Sequence, residues 1–164
     1  MEWFYLLTFG MDFASYISWF VDGEWCFHVS FNQRKSISVG IEVRPSFSLS
    51  QKKYSLPLIK KIHHYFQCWW IRYNKRDGTY KYEVRSITDL SQKILPHFQK
   101  YPLFTTKQKD FEKFVMICDM MKKNLHRNKQ GLLKIIDIAY TMNMSWKRKY
   151  QKKDLLRFID KMKV

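Results

Sequence analysis

Two carboxylates separated by one glycine, Asp22 and Glu24, close the stretch YISWFVDGEWCF (residues 16–27). The residues leading into them place Phe13, Tyr16, Ile17, Phe20 and Val21 at the i, i+3, i+4, i+7, i+8 spacing of an amphipathic helix over 12–21, with Asp12 as N-cap. Acids at a helix C-terminus face the negative end of the macrodipole, a placement that costs about 0.3–1 kcal/mol each. Local chemistry admits two resolutions. Either Gly23 caps the helix and water solvates the acids, or a divalent cation supplies the balancing charge, as Mg²⁺ does when held by one or two carboxylates plus phosphate oxygens. No Ser/His/Asp or Cys/His set competes for catalysis, and the five histidines and three cysteines lack zinc-site spacing.

The elements that position these acids follow from periodicity. After Gly23 the period falls to two: Phe27, Val29 and Phe31 alternate with polar residues, and a second alternation runs from Ile37 through Val39, Ile41, Val43 and Phe47 to Leu49. Ser55-Leu56-Pro57 opens a second helix, with Ser as cap and Pro in the first turn. Cys68 to Lys75 and Tyr80 to Arg85 read as strands joined by the Asp-Gly turn 76–79. Helices are expected over 88–99, broken at Pro96, then over 106–124, 129–142 and 152–163. The order αββαββα, followed by more helices, predicts one α+β domain spanning 1–164 with a four-stranded antiparallel sheet.

One face of that sheet is apolar. The other displays His28, Ser30, Asn32, Glu42, Arg44, Ser46, Ser48, Arg72, Asn74, Lys81, Glu83 and Arg85, with Gln33, Arg34 and Arg76 at the turns. Arginine pairs with guanine edges, asparagine with adenine and an acid with the cytosine amino group, so this mixture suits base readout in double-stranded DNA. A merely solvated face is the plain alternative. Charge favours the first reading. The 164 residues carry 30 Lys+Arg against 14 Asp+Glu, a formal +16, and such self-repulsion asks for a polyanionic partner. The imbalance starts late: residues 1–50 hold three basic and five acidic residues, and the remaining basic residues fill the later helices. Lys147-Arg148-Lys149 is expected to hold flanking phosphates. Three separated cysteines fit a reducing compartment, and no apolar run reaches the roughly 18–20 residues of a membrane span, so a soluble, unsecreted protein with no membrane partner is expected. Trp69, Trp70 and Tyr73 read as core or sheet-edge packing.

YISWFVDGEWCF resembles the motif of LAGLIDADG homing endonucleases in the variant ending aspartate-glycine-glutamate. FTTKQKDFEKF (104–114) and GLLKIIDIAYTMN (131–143) resemble that family's downstream segments, so the similarity runs in order over nearly the whole chain. The resemblance implies a site-specific nuclease that makes a double-strand break in a long pseudopalindromic target by metal-dependent phosphodiester hydrolysis, as in intron homing. It implies Mg²⁺ as cofactor and, because one motif is present, a homodimer paired through the motif helix, with Phe13, Ala14, Ile17 and Ser18 at the interface. It makes Glu24, with Gly23, the metal site, Asp22 the companion that fixes the helix end, and Gln51 and Lys107 the groups around the scissile phosphate. Trp19 and Trp25 stand where the family usually has glycine, and Ser55 where relatives often have a basic residue; a Trp19 directed into the seam would set the paired helices further apart. The resemblance also implies organellar coding, in chloroplast or mitochondrion, with a cytoplasmic protein as the alternative. Two other functions remain open at this point: an intron RNA maturase of the same fold, with intron RNA as partner, and a sequence-specific DNA-binding protein without catalysis.

Overall fold

The computed structural model describes residues 10–24, 26–143 and 148–162; Trp25 and Lys147 lie outside the described residues. The first helix, α1 (Phe13–Asp22), is capped by Asp12, whose carboxylate accepts from Ser15 N at 2.9 Å. Strands β1 (Phe27–Gln33) and β2 (Ile41–Lys52) form a hairpin, α2 (Leu56–Phe66) follows, and β3 (Trp70–Asn74) and β4 (Thr79–Val84) form a second hairpin. The hairpins join through β2 and β4, giving one antiparallel sheet in the order β1-β2-β4-β3. Next come α3 (Ile87–Asp89), a π-helical turn (Leu90–Ile94), α4 (Leu95–Lys100), α5 (Lys107–Lys122), α6 (Lys129–Tyr140) and α7 (Lys152–Lys161). Among the described residues no helix is long and apolar enough to cross a membrane.

Three boundaries differ from the periodicity. Residues 34–40 are a loop, closed by Arg34 N donating to Gly40 O at 2.7 Å, so the second strand begins at Ile41 instead of Ile37. Gly40, at φ +72°, also lies where a side chain would strike Phe158 of the last helix and Met162 just past its end, which explains a glycine there. The same strand runs past Leu49 to Lys52, because Ser50, Gln51 and Lys52 find partners in Lys81, Tyr80 and Thr79. Gln67 and Trp69 adopt positive φ, which delays the third strand to Trp70. Pro96 does not break its helix: the wider π turn before it absorbs the missing N–H donor.

Phe27, Val29 and Phe31 of β1 and Ile41, Val43, Phe47 and Leu49 of β2 point into a buried layer closed by the helices. Phe27 lies at its centre, with ring centroids 5.2–5.5 Å from Phe47, Phe98, Phe111 and Phe114. Much of the aromatic excess is thus consumed by the core. Exposed rings remain at Trp19, Tyr54, Trp70 and Phe104.

The face of α1 expected to meet a second copy is turned inward. Ala14, Ile17 and Ser18 are buried within the chain, and Phe13 is half-buried against Tyr16 and Tyr65. Ser18 Oγ donates to Tyr101 O at 2.6 Å, which spends its only proton. His97 Nε2, 3.3 Å from the same oxygen, therefore carries a hydrogen, and Nδ1 accepts from Tyr65 O–H at 3.0 Å. Ser18 thus serves intrachain packing on α4, while Trp19, 60% exposed, takes the outer face.

Arg148 also departs from expectation. Its guanidinium donates to Val29 O at 3.0 Å, to Met142 O at 3.1 Å and to Ala139 O, and it lies over the Tyr140 ring. These contacts tie β1 to the carbonyl end of α6, the natural place for a cation, and commit most of the guanidinium to the fold.

Two outcomes follow. Arg148→Ala should lose about 2–3 kcal/mol of stability in urea denaturation, since it strands buried carbonyls; unchanged stability with a shallower salt dependence of DNA binding would restore the phosphate-contact role. Burial lowers His97 to about 4, so below its ordinary value of 6.5 the unfolded chain takes up a proton that the native state refuses. The urea midpoint should therefore fall between pH 6.5 and 4, and His97→Gln should flatten that fall.

Candidate nucleic-acid interface and hydrolytic centre

The last turn of α1 delivers Asp22 and Glu24 to one end of the sheet, and the four residues singled out around the scissile phosphate converge there. Asp22 is fully engaged: its carboxylate accepts from Phe104 N at 2.8 Å, from Thr105 N at 3.1 Å and from Thr105 Oγ1. It caps the loop that starts α5, so it positions and does not offer a free carboxylate. Thr105 Oγ1 in turn accepts from Lys107 N at 3.2 Å, and Gln108 Oε1 accepts from Leu103 N at 3.1 Å. Lys107 is thereby fixed in the first turn of α5 with Nζ directed to Val21 O, 3.5 Å away, beside the Glu24 N–H that donates to the same carbonyl at 3.0 Å.

Much of the unfavourable placement of two acids at a helix C-terminus is therefore relieved inside the chain. Backbone N–H groups meet Asp22 and an ammonium meets the helix end. Glu24, half-exposed, keeps a different partner: Gln51 Nε2 donates to its Oε1 at 2.9 Å. Gln51 reaches it because β2 runs on to Lys52 with Gln51 on the helix side of the sheet. Behind the pair, Cys26 is buried and its thiol is pushed far up by that burial, so it is no nucleophile. Among the described residues no three His, Cys, Asp or Glu side chains gather as a metal cage. One carboxylate with a side-chain amide and backbone carbonyls nearby is a hard oxygen-rich set. It fits Mg²⁺ that draws its remaining ligands from phosphate and water.

The polar sheet face is present as expected. His28, Ser30 and Asn32 on β1 pair with Ser46, Arg44 and Glu42 on β2, and Arg72 and Asn74 on β3 pair with Lys81 and Thr79 on β4. Its charges are not free, however. Glu42 holds Arg44 at 3.0 Å and Arg34 at 3.4 Å. Glu83 holds Lys81, Arg72 and Arg85. Burial works against the Glu83 charge, but the hydrogen bond from Lys81 and the charges of Lys81 and Arg85 keep its carboxyl below the ordinary range. Ser46 and Ser48 are sunk between their neighbours and buried, whereas Ser30, Gln33 and Arg76 are exposed. Asn74 Nδ2 is spent on Asp77 at the turn.

Trp70, expected as core or sheet-edge packing, lies on the edge strand β3 but does not pack there. It is the strand partner of Glu83, stands 74% exposed and shares the outer face with Arg72. The period of two, with Ile71 on the inner face, was the signal; adjacency to Trp69 masked it. Trp69 does pack inward, donating from Nε1 to Asp89 at 2.9 Å, and Tyr73 stacks on Tyr80 at the sheet edge.

The chain is similar to known proteins over this same region. A family model described as LAGLIDADG endonuclease matches residues 17–118. "Probable intron-encoded endonuclease 2" of Neurospora crassa is 30% identical over 130 residues, covering 79% of this chain and 29% of that protein. "Uncharacterized 50.9 kDa protein in ND4 intron 1" of Podospora anserina is 34% identical over 116 residues, 70% of this chain and 25% of that one. The chain thus spans between a quarter and a third of the length of these two relatives. Among solved structures, the homing endonuclease I-TnaI superposes with TM-score 0.78 at 32% identity, covering 92% of this chain and 97% of its own. I-LtrWI, solved bound to target DNA, gives TM-score 0.78 at 28% identity, over 91% of this chain and 57% of that one. The matched span contains the carboxylate end of α1, all four strands and the Lys107 turn, and the α+β arrangement around them is shared: the chain belongs to the LAGLIDADG endonuclease family.

Proposed function

We propose that the chain is a site-specific DNA endonuclease of the intron-homing type, cutting both strands of a long pseudopalindromic duplex by metal-dependent phosphodiester hydrolysis. The observation that carries this is the Glu24–Gln51 pair, held at the end of α1 beside Lys107 and at the border of a polar, cation-bearing sheet. Glu24, with the Gly23 carbonyl, would hold Mg²⁺. When bound, that ion would lower the barrier by activating water and neutralising charge on the phosphate. Gln51 orients the Glu24 carboxylate by its hydrogen bond and has a second amide hydrogen for a water in the same site. Lys107, anchored by Thr105 and Val21 O, sets a positive charge in place before substrate arrives, and fixed charges stabilise a developing oxyanion better than mobile ones. Asp22 acts through position alone, by tying α5 to α1.

One motif in these 164 residues and one such carboxylate per site call for a second motif helix to cut the second strand, which a second copy related by a two-fold axis would supply. The outer side of α1 carries the exposed Trp19 flanked by the half-buried Tyr16 and Phe20, with ring centroids of Tyr16 6.0 Å from Trp19 and 6.2 Å from Phe20. This aromatic ridge replaces the small-residue seam expected from sequence, so the two helices would cross at a wider spacing. Relatives named for introns support coding within an organellar intron.

Purified protein incubated with a randomised duplex library and Mg²⁺ should select and cut a discrete sequence, and Glu24→Gln should cut on the order of 100-fold more slowly or worse while still binding. Equal cutting by both proteins would remove Glu24 from the mechanism. Binding to the selected duplex should weaken about 10³-fold or more between 50 and 200 mM salt, the response of a protein that neutralises six or more phosphates. A flat log–log salt plot would contradict the charge-based part of this reading.

A further inference from the structure

Glu83 is the most deeply buried charged side chain on the outer sheet face, at 6% exposure. Its Oε1 accepts from Lys81 Nζ at 2.7 Å, and its Oε2 meets Arg72 Nη2 at 3.0 Å and Arg85 Nη2 at 2.8 Å. Three cations thus occupy both oxygens of a side chain that is almost wholly buried, so this acid offers little to a cytosine amino group. The cations remain accessible: the Arg72 side chain is 67% exposed, and each guanidinium has five N–H donors of which the contact to Glu83 takes one nitrogen. Long cationic side chains ordinarily sample many rotamers and lose that freedom on binding. Here a buried carboxylate on a central strand holds three of them from adjacent positions at once. Glu42 does the same with two arginines on the other hairpin, but is less buried and holds one cation fewer.

We infer that Glu83 is a positioning residue for base recognition, presetting Arg72 and Arg85 as fixed forks for the O6/N7 edges of guanine in the major groove, with Lys81 completing the cluster. This rests on the reading of the outer sheet face as the DNA surface. The two roles an acid can have there differ in sign. An acid with no ordering role repels phosphates, and its removal improves binding to every duplex alike. A presetting acid, once removed, leaves three mobile cations that still attract phosphates but discriminate bases poorly, because preorganisation is lost.

The test is selection from a randomised duplex library at fixed salt with wild type and Glu83→Gln, which keeps shape and removes charge. The wild-type pool should show guanine at defined positions. The variant pool should lose that preference about tenfold at those positions, within the discrimination carried by a bidentate pair, and keep the others. It should also bind an unselected duplex at 50 mM salt as tightly as wild type or more so. An unchanged guanine preference in the Glu83→Gln pool overturns the inference. If circular dichroism shows that Glu83→Gln does not fold, Arg72→Gln and Arg85→Gln, both at exposed positions, decide instead: loss of guanine at one position each supports the inference, and retention in both overturns it. A wild-type pool without any enriched sequence defeats the prior reading of the sheet face itself, an outcome distinct from wild type and variant sharing one preference.

Discussion

The negative end of α1 is the constraint around which the rest is arranged. A helix that terminates in Asp22-Gly23-Glu24 concentrates two carboxylates where its own carbonyls already accumulate negative potential. The fold answers with groups from a segment more than 80 residues away: the Phe104 and Thr105 amides cover Asp22, and Lys107 reaches Val21 O. That answer is incomplete by one carboxylate. Glu24 receives only a neutral amide from Gln51 among its described hydrogen bonds, which leaves an anionic, half-exposed oxygen group at the edge of a basic surface. The same contacts fix the geometry, because the loop that neutralises Asp22 also starts α5 and so places Lys107.

A formal +16 would scatter as mobile surface charge if nothing organised it. On the outer sheet face it is organised by two acids, Glu42 and Glu83, each on a central strand and each flanked by cations from its own and neighbouring positions. Surface ion pairs add little to stability, roughly 0–1 kcal/mol, so their larger effect is on where the cations stand. The core beneath is built on tilted and edge-to-face phenylalanine rings around Phe27.

Local chemistry was readable where one period dominated. The Asp12 cap, the inward Phe27-Val29-Phe31 row and the Asp-Gly hairpin all follow from short-range rules, and the four residues of the candidate hydrolytic centre were proposed from likeness to a known motif. What escaped depended on the third dimension. Ala14 and Ser18 have the spacing of a close helix–helix seam, and nothing local says whether that seam lies within the chain or between copies; the carbonyl of Tyr101 and the ring of His97 decide it. Arg148 sits in a basic run that resembles a phosphate-binding tail, yet a carbonyl of the distant β1 and two at the nearby end of α6 claim it. Alternation from Ile37 continues smoothly into β2, but the hydrogen bonds of residues 34–40 close a loop before pairing begins. Compensation at a helix end likewise cannot be read without knowing which distant loop folds against it.

The strand order carries a metrical consequence. Because β2 and β4 run antiparallel at the centre, the two hairpin tips, at residues 34–40 and 75–78, project from opposite ends of the sheet. The 12 residues of β2 span about 40 Å at roughly 3.3 Å per residue. Duplex DNA advances about 3.4 Å per base pair, so a double helix laid along this platform is matched over roughly 12 pairs. Two such platforms abutting at their α1 ends would measure out a little over two helical turns, a ruler whose length is set by a strand and not by any side chain.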